Sequence, residues 1–486
     1  MLFNSLEFLI FLPLVFLLYW YVFAKSIRLQ NLFVIIVSYV FYGWWDWRFL
    51  FLIAFTTGCS YLSGLAIKYY QNHGKISNAK FFSIGNVVIN LAILGLFKYY
   101  NFFAESLQTL LQSMDCHLDY PTLNVILPVG ISFYTFQALS YSIDVYRNKI
   151  NPTKDVLAFF AFVCFFPQLV AGPIERATNL LPQFQRRRTF DYSVAVDGCR
   201  QMLWGFFKKV VIADNCARYA NIAFENHNDM GSLSLLLGAL FFTFQIYGDF
   251  SGYSSIAIGC AKLFGIKLLP NFRVPYFSRD IAEFWKRWHI SLNKWFVDYV
   301  YIPLGGSRVS KPKIVRNIFA IFLLSGLWHG ANWTYVAWGL YHACLFLPLI
   351  LLNKNHKYSG GFSEERRFPT LKESIGMLGT FVLVMIGWII FRATSITQAL
   401  EYIARLFSFR KGVGIDVSFL DSLWLLIVIL FALFVEWWNR NAEHEFKMII
   451  QRPLVRNLVY FLLIASIYVS YMMNIEDDTT FIYFQF

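Results

Sequence analysis

Apolar runs of membrane-crossing length lie along this chain from end to end, separated by polar and basic connectors. About 20 consecutive apolar residues are needed for a helix to cross the hydrocarbon core. On that pattern the candidate spans are residues 5–23, 31–45, 49–66, 81–99, 124–144, 155–172, 231–257, 316–333, 334–353, 374–391, 419–437 and 457–472, of which about ten are expected to cross as helices. Residues 1–23 lack a basic leading region and an A-x-A cleavage site, so they read as a first span and not as a removed signal. No internal repeat or low-complexity tract interrupts the pattern, which weighs against a transporter built from inverted repeats.

The connectors set the topology. Lys25 and Arg28, then Lys68, Lys75 and Lys80, make two basic connectors, whereas residues 100–123 hold no Lys or Arg, which places the N-terminus outside. Counting onward would put residues 173–230 outside too, yet these carry Arg176, Arg186, Arg187, Arg188, Arg200, Lys208 and Lys209. Re-entrant or short segments at 155–172 and 231–257 would resolve the conflict. Pro167, Gly172 and Pro173 in the first, and Gly248 and Gly252 in the second, permit such breaks. Residues 258–315 are too polar to span, and their mixture of basic and aromatic residues predicts cytoplasmic interfacial helices. Residues 193–214 and 397–410 predict two more.

Composition agrees. Of 486 residues, 57% are hydrophobic and 20% aromatic, with a mean hydropathy of +0.50, more than a soluble surface carries. The expectation is one polytopic, all-α membrane body over residues 1–486. A net charge of +13 would suggest nucleic acid in a soluble protein. Here the basic residues sit between apolar runs, facing anionic headgroups, so no nucleic-acid partner is expected. The seven cysteines are scattered without a C-x-x-C pair and read as small packing residues.

Within the apolar run 317–352 lies Gly326-Leu327-Trp328-His329-Gly330-Ala331-Asn332-Trp333, which places His329 at membrane depth. An ionisable group there is a functional candidate by default, and histidine can take up and return a proton near neutral pH. Its bland alternative is a hydrogen bond to a neighbouring helix, and His342 invites mainly that reading. Asp249, in Gln245-Ile246-Tyr247-Gly248-Asp249-Phe250-Ser251-Gly252, is either a paired packing carboxylate or an ion or proton site. Gly305-Gly306 reads as a turn, because no phosphate-loop pattern accompanies it. His289 and His329 are 40 residues apart, no H-E-x-x-H is present, and His444-Glu445 lacks a second histidine, so no metal centre is expected.

Phe284-Trp285-Lys286-Arg287-Trp288-His289-Ile290-Ser291-Leu292, Tyr299-Val300-Tyr301-Ile302-Pro303-Leu304-Gly305-Gly306 and the His329 segment closely resemble the membrane-bound O-acyltransferase family. The nearest branch is that of the bacterial alginate O-acetylation proteins. Tyr42–Arg48, Pro128–Phe133, Ala171–Ile174, Asp249–Tyr253 and Phe481–Phe486 extend the resemblance along nearly the whole chain. Ser255 departs from it, standing where relatives commonly show an acidic residue.

The resemblance implies an enzyme of the bacterial inner membrane that passes an acyl group from a cytoplasmic thioester to a hydroxyl reached from the other face. The implied fold is a ring of about 10–12 membrane helices around a tunnel, with short central segments, and a catalytic core near residues 124–352. His329 and His289 are the implied catalytic pair. Such a reaction needs a base for the hydroxyl and stabilisation of the tetrahedral oxyanion. We expect neutral His329 as the base, with Asn332 or the Trp328 N–H orienting the ring or the acceptor. His289 belongs to the donor side, with Lys286, Arg287 and Lys294 steering an anionic donor such as acetyl coenzyme A and Asn293 and Asp298 near the same mouth. No bound cofactor is expected. Expected partners are membrane lipids, a polysaccharide acceptor and a periplasmic or membrane-tethered acetyltransferase. D-alanyl transfer from a carrier protein, a polysaccharide or lipid-linked sugar transporter using Asp249, and a non-catalytic scaffold are the competing readings.

Overall fold

The computed structural model describes all residues except 117–121, 124–125, 171, 359–365, 415–418, 448–451 and 475–486, so the terminal motif Phe481–Phe486 and parts of the expected spans 124–144 and 155–172 lie outside the described residues. The described regular structure is helical, as backbone in hydrocarbon requires when it must satisfy its own polar groups. Among the described residues, seven helices are long and apolar enough to cross a membrane: Phe49–Asn72, Ile76–Gln112, Ser232–Leu263, Trp333–Leu351, Leu371–Arg392, Asp421–Trp438 and Pro453–Met473. Two shorter apolar helices, Leu6–Val22 and Ile27–Gly43, precede them. Lys311–His329 matches a span in length but opens on Lys311, Lys313 and Arg316.

The chain divides into two compact units, residues 1–196 with 260–269, and residues 197–259 with 270–486. In the first, Phe49–Asn72, Ile76–Leu94 and Ile131–Tyr146 share a buried polar ladder. Ser60 donates to Asn86 Oδ1 at 3.2 Å, and Asn86 donates to Ser142 Oγ at 3.0 Å. Small polar residues of this kind join helices where lipid supplies no hydrophobic drive. Gly64 lies under the Tyr141 ring, where a Cβ would come within 2.6 Å. Residues 155–172 are short and broken as expected, with helix Val156–Cys164 followed by the single turn Phe166–Leu169.

The second unit is organised around residues 232–259 of Ser232–Leu263, one uninterrupted 32-residue helix. Gly248 and Gly252 therefore do not break it, and the expected re-entrance of 231–257 is replaced by a continuous crossing. The glycines serve contact instead: a Cβ on Gly252 would meet the Gly205 carbonyl at 2.7 Å, and one on Gly248 the Lys208 carbonyl at 2.9 Å. Residues 198–213, expected at the interface, thus lie backbone to backbone along this helix and are largely buried. Their lysines find carboxylates: Lys209 Nζ lies 2.7 Å from Asp249 and 2.8 Å from Asp214, and Lys208 Nζ lies 3.2 Å from Glu445. Tyr247 donates to Glu436 at 2.8 Å.

Lys311–His329 and Trp333–Leu351 form a hairpin whose turn is Gly330–Asn332. Asn332 caps the second helix by accepting from the Thr334 N–H at 3.0 Å. The helices touch through Gly326 and Gly339, where a Cβ would run into the carbonyls of Tyr335 and Phe322 respectively. Two short helices of seven residues each, Ile281–Arg287 and Ile290–Phe296, pack nearby.

Candidate active site

His289 sits at the joint between the two short helices, capping Ile290–Phe296 with a left-handed backbone, φ 45°. That conformation is uncommon for a side chain other than glycine and persists only where surroundings over-determine it. Asn271 provides them. Its carbonyl accepts from the Ile290 N–H at 2.9 Å. Its side-chain oxygen receives the Ser291 N–H at 3.3 Å and Ser291 Oγ at 2.9 Å, and lies 3.1 Å from His289 Nδ1. Its amide nitrogen donates to Ser254 Oγ at 3.2 Å. His289 is 1% exposed. Burial pushes its imidazole down to about 3, so the ring is neutral at working pH.

Rings close around it. Phe250 meets His289 edge-on at 4.6 Å between centroids, and Trp328 at 5.7 Å. Trp328 also meets His329 at 5.0 Å, and the two imidazole centroids are 6.4 Å apart. His329, the last residue of its helix and 4% exposed, packs on Trp338 at 5.2 Å and Phe391 at 5.4 Å. Trp338 is shared with His342 at 5.0 Å and with Trp285 at 5.5 Å. The two expected histidines therefore converge on Trp328, although 40 residues separate them in sequence.

A cavity of about 750 Å³ lies beside this box, within the size of ordinary small-molecule sites. Trp285, Phe322 and Ser325 are among its lining, together with Lys286, Lys294, Lys311, Asn293 and Asp298. Ser325 precedes His329 by four residues, about one helical turn or 6 Å along the axis. Three lysines against one aspartate favour an anionic entrant.

The structure divides the remaining expected residues. Lys286 and Lys294 line the cavity, and Lys286 Nζ donates to the Asn355 carbonyl at 3.1 Å. Asn293 lines it too, donating at 2.6 Å to the carbonyls of both Trp285 and Trp288, so it braces the two short helices. Arg287 is not among the lining residues; it donates to Glu283 at 2.8 Å and to the Arg273 carbonyl at 3.2 Å. Asn332 is committed to its cap and to the Thr394 carbonyl at 3.1 Å. Asp249 pairs with Lys209, while its neighbour Phe250 reaches His289. Asn271 and Lys311 went unnoticed in the sequence, because neither belongs to a motif and their roles depend on chain distant in sequence. Among the described residues no cluster of His, Cys, Asp and Glu could hold a metal.

Residues 151–352 match the model of the membrane-bound O-acyltransferase family. The chain is 37% identical to the probable alginate O-acetylase AlgI of Pseudomonas putida over the full length of both. It is 34% identical to the peptidoglycan O-acetyltransferase of Helicobacter pylori, covering 82% of this chain and 79% of that one. Against the teichoic acid D-alanyltransferase of Bacillus subtilis it is 29% identical, over 67% of this chain and 82% of the other.

Proposed function

This chain belongs to the membrane-bound O-acyltransferase family, in its alginate O-acetylation branch, and from that premise we propose that it moves an acetyl group from acetyl coenzyme A to a polysaccharide hydroxyl. It is a multi-pass membrane enzyme that transfers acyl groups to oxygen. The bacterial inner membrane is its proposed place, which puts the thioester on the cytoplasmic side and the acceptor beyond the membrane. The observation that carries the reading is the lysine-bearing cavity whose lining includes Ser325, one helical turn before His329.

The thioester enters this cavity, drawn by Lys286, Lys294 and Lys311, and its acyl carbon reaches the aromatic box. The acceptor hydroxyl gives its proton to neutral His329 as its oxygen attacks that carbon. The C–O bond forms, the C–S bond breaks with its electron pair going to sulfur, and the proton passes from His329 to sulfur. Ester and free thiol are the products, with no bound cofactor. The acceptor is an envelope or extracellular polysaccharide, reached directly or through a periplasmic or membrane-tethered partner transferase. Similarity to the peptidoglycan and alginate O-acetylating enzymes exceeds that to the D-alanyltransferase, which favours acetyl over D-alanyl.

The test is release of free coenzyme A from acetyl coenzyme A by purified protein in detergent. A positioned base contributes on the order of 100- to 10,000-fold, so His329→Ala should lose at least that lower factor. Retention of more than about a tenth of wild-type turnover would remove His329 from the role.

A further inference from the structure

In the second unit, the bonding of the buried Asn271 amide determines the chemical form of a residue in the site. Its side-chain orientation follows from the Ser291 backbone N–H, 3.3 Å away. A backbone N–H can only donate, so the atom facing it is the oxygen and not the nitrogen. Ser291 Oγ shares that oxygen at 2.9 Å, and His289 Nδ1 approaches it at 3.1 Å. An imidazole nitrogen beside an amide oxygen must carry the proton. The neutral ring has one proton, so Nε2 holds the lone pair. Nε2 is buried and has no hydrogen-bond partner among the described residues. A buried acceptor without a partner is destabilising, so a group that brings a donor to it is favoured there.

We infer that Asn271 is a positioning residue: it holds His289 as the Nδ1–H tautomer, so that His289 enters the reaction through Nε2 as a hydrogen-bond acceptor for a substrate O–H or N–H. This rests on the acyl-transfer reading and deepens it. A neutral His289 in this form cannot donate to the thioester or tetrahedral oxygen, so oxyanion stabilisation falls to other groups. The left-handed backbone at His289 has the same origin, because the Asn271 main-chain and side-chain oxygens together hold residues 289–291. Rings packed on His289 include Phe250, Phe272, Trp328 and His329. Of these His329 is the titratable neighbour, and it is common to every variant below.

Two readouts test this. In protein labelled with ¹⁵N-histidine, the Nε2 resonance that disappears in His289→Gln should be that of an unprotonated nitrogen, with its Nδ1 partner protonated. The reverse assignment would overturn the inference and leave acyl transfer untouched. In turnover, Asn271→Ala should lower kcat by on the order of 10- to 100-fold, since orientation of a reacting group is worth this much, with KM for the thioester within about twofold. Asn271→Asp keeps an oxygen for the same three donors and should recover most of the rate. Its carboxylate favours the imidazolium, so activity should fall more steeply on acidification than in the wild type. Equal loss in both variants, tracking a lower melting temperature, would make Asn271 merely structural and overturn the inference. A wild type that releases no thiol, with Nε2 still unprotonated, would sink the acyl-transfer reading instead.

Discussion

Gly387 is where one methyl group should disturb the site without touching a reacting atom. In the helix Leu371–Arg392 it faces His342, and a Cβ built there would lie 2.8 Å from His342 Nε2 and 3.3 Å from the Tyr341 ring. Ordinary contact begins near 3.4 Å, so Gly387→Ala demands about 0.6 Å of movement from an imidazole that is fully buried. Its neighbours offer little: Trp285 packs on it at 4.9 Å and Trp338 at 5.0 Å, and Trp338 is also the ring beneath His329. Overpacking of this kind costs about 1–3 kcal/mol. Displacement of a reacting group by 1 Å can cost about 100-fold in rate, and the fraction passed on through Trp338 should cost several-fold. Thiol release and melting temperature in detergent would both be read. Gly387→Ala should lower both, and His342→Ala added to Gly387→Ala should restore part of the loss by vacating the contested space. If Gly387→Ala matches the wild type in both assays, or the double variant is worse than the sum of the singles, this packing argument fails.

Lys209→Met should be far more damaging than its position away from the histidines suggests. It leaves Asp214 and Asp249 buried without their shared ammonium, a loss of about 3–5 kcal/mol visible as reduced yield of folded protein. Asp214→Asn and Asp249→Asn in the same chain should recover much of it. At the cavity, Lys286→Ala combined with Lys294→Ala should raise KM for acetyl coenzyme A and flatten its salt dependence. Arg287→Ala, whose guanidinium is held by Glu283, should lower the melting temperature and leave that salt dependence unchanged.

The class of fold was legible because apolar length is a local property. A run of about 20 apolar residues marks a candidate span without reference to its neighbours, and the polarity of residues 258–315 argues against one there. Glycine was harder to read. Gly248 and Gly252 looked like breaks in a helix, yet they mark where a second backbone lies against it, which only the distant Gly205 and Lys208 could reveal. The histidine pair was legible through its motifs, and two lysines of the cavity, Lys286 and Lys294, through their sequence proximity to His289. Charge alone could not separate Lys286 from Arg287, because the carboxylate that captures Arg287 is an i, i+4 neighbour on a helix whose facing was unknown. Asn332 looked like a partner for His329 but was placed by the turn into a helix cap. Asn271 had no local signal at all, since its value lies in meeting a chain segment 18 to 20 residues onward.

The hairpin bearing His329 has an uneven tolerance for sequence drift. Where Gly326 and Gly339 meet the opposite backbone, the amino-acid alphabet shrinks to a single letter, since even alanine would force the two helices apart. On the same helices Leu324 and Leu340 are exposed, and a change among apolar residues there should pass unnoticed. Inactivating substitutions should therefore gather at two glycines that contact no reactant. A map of damaging mutations drawn without the structure would mistake them for members of the reaction centre.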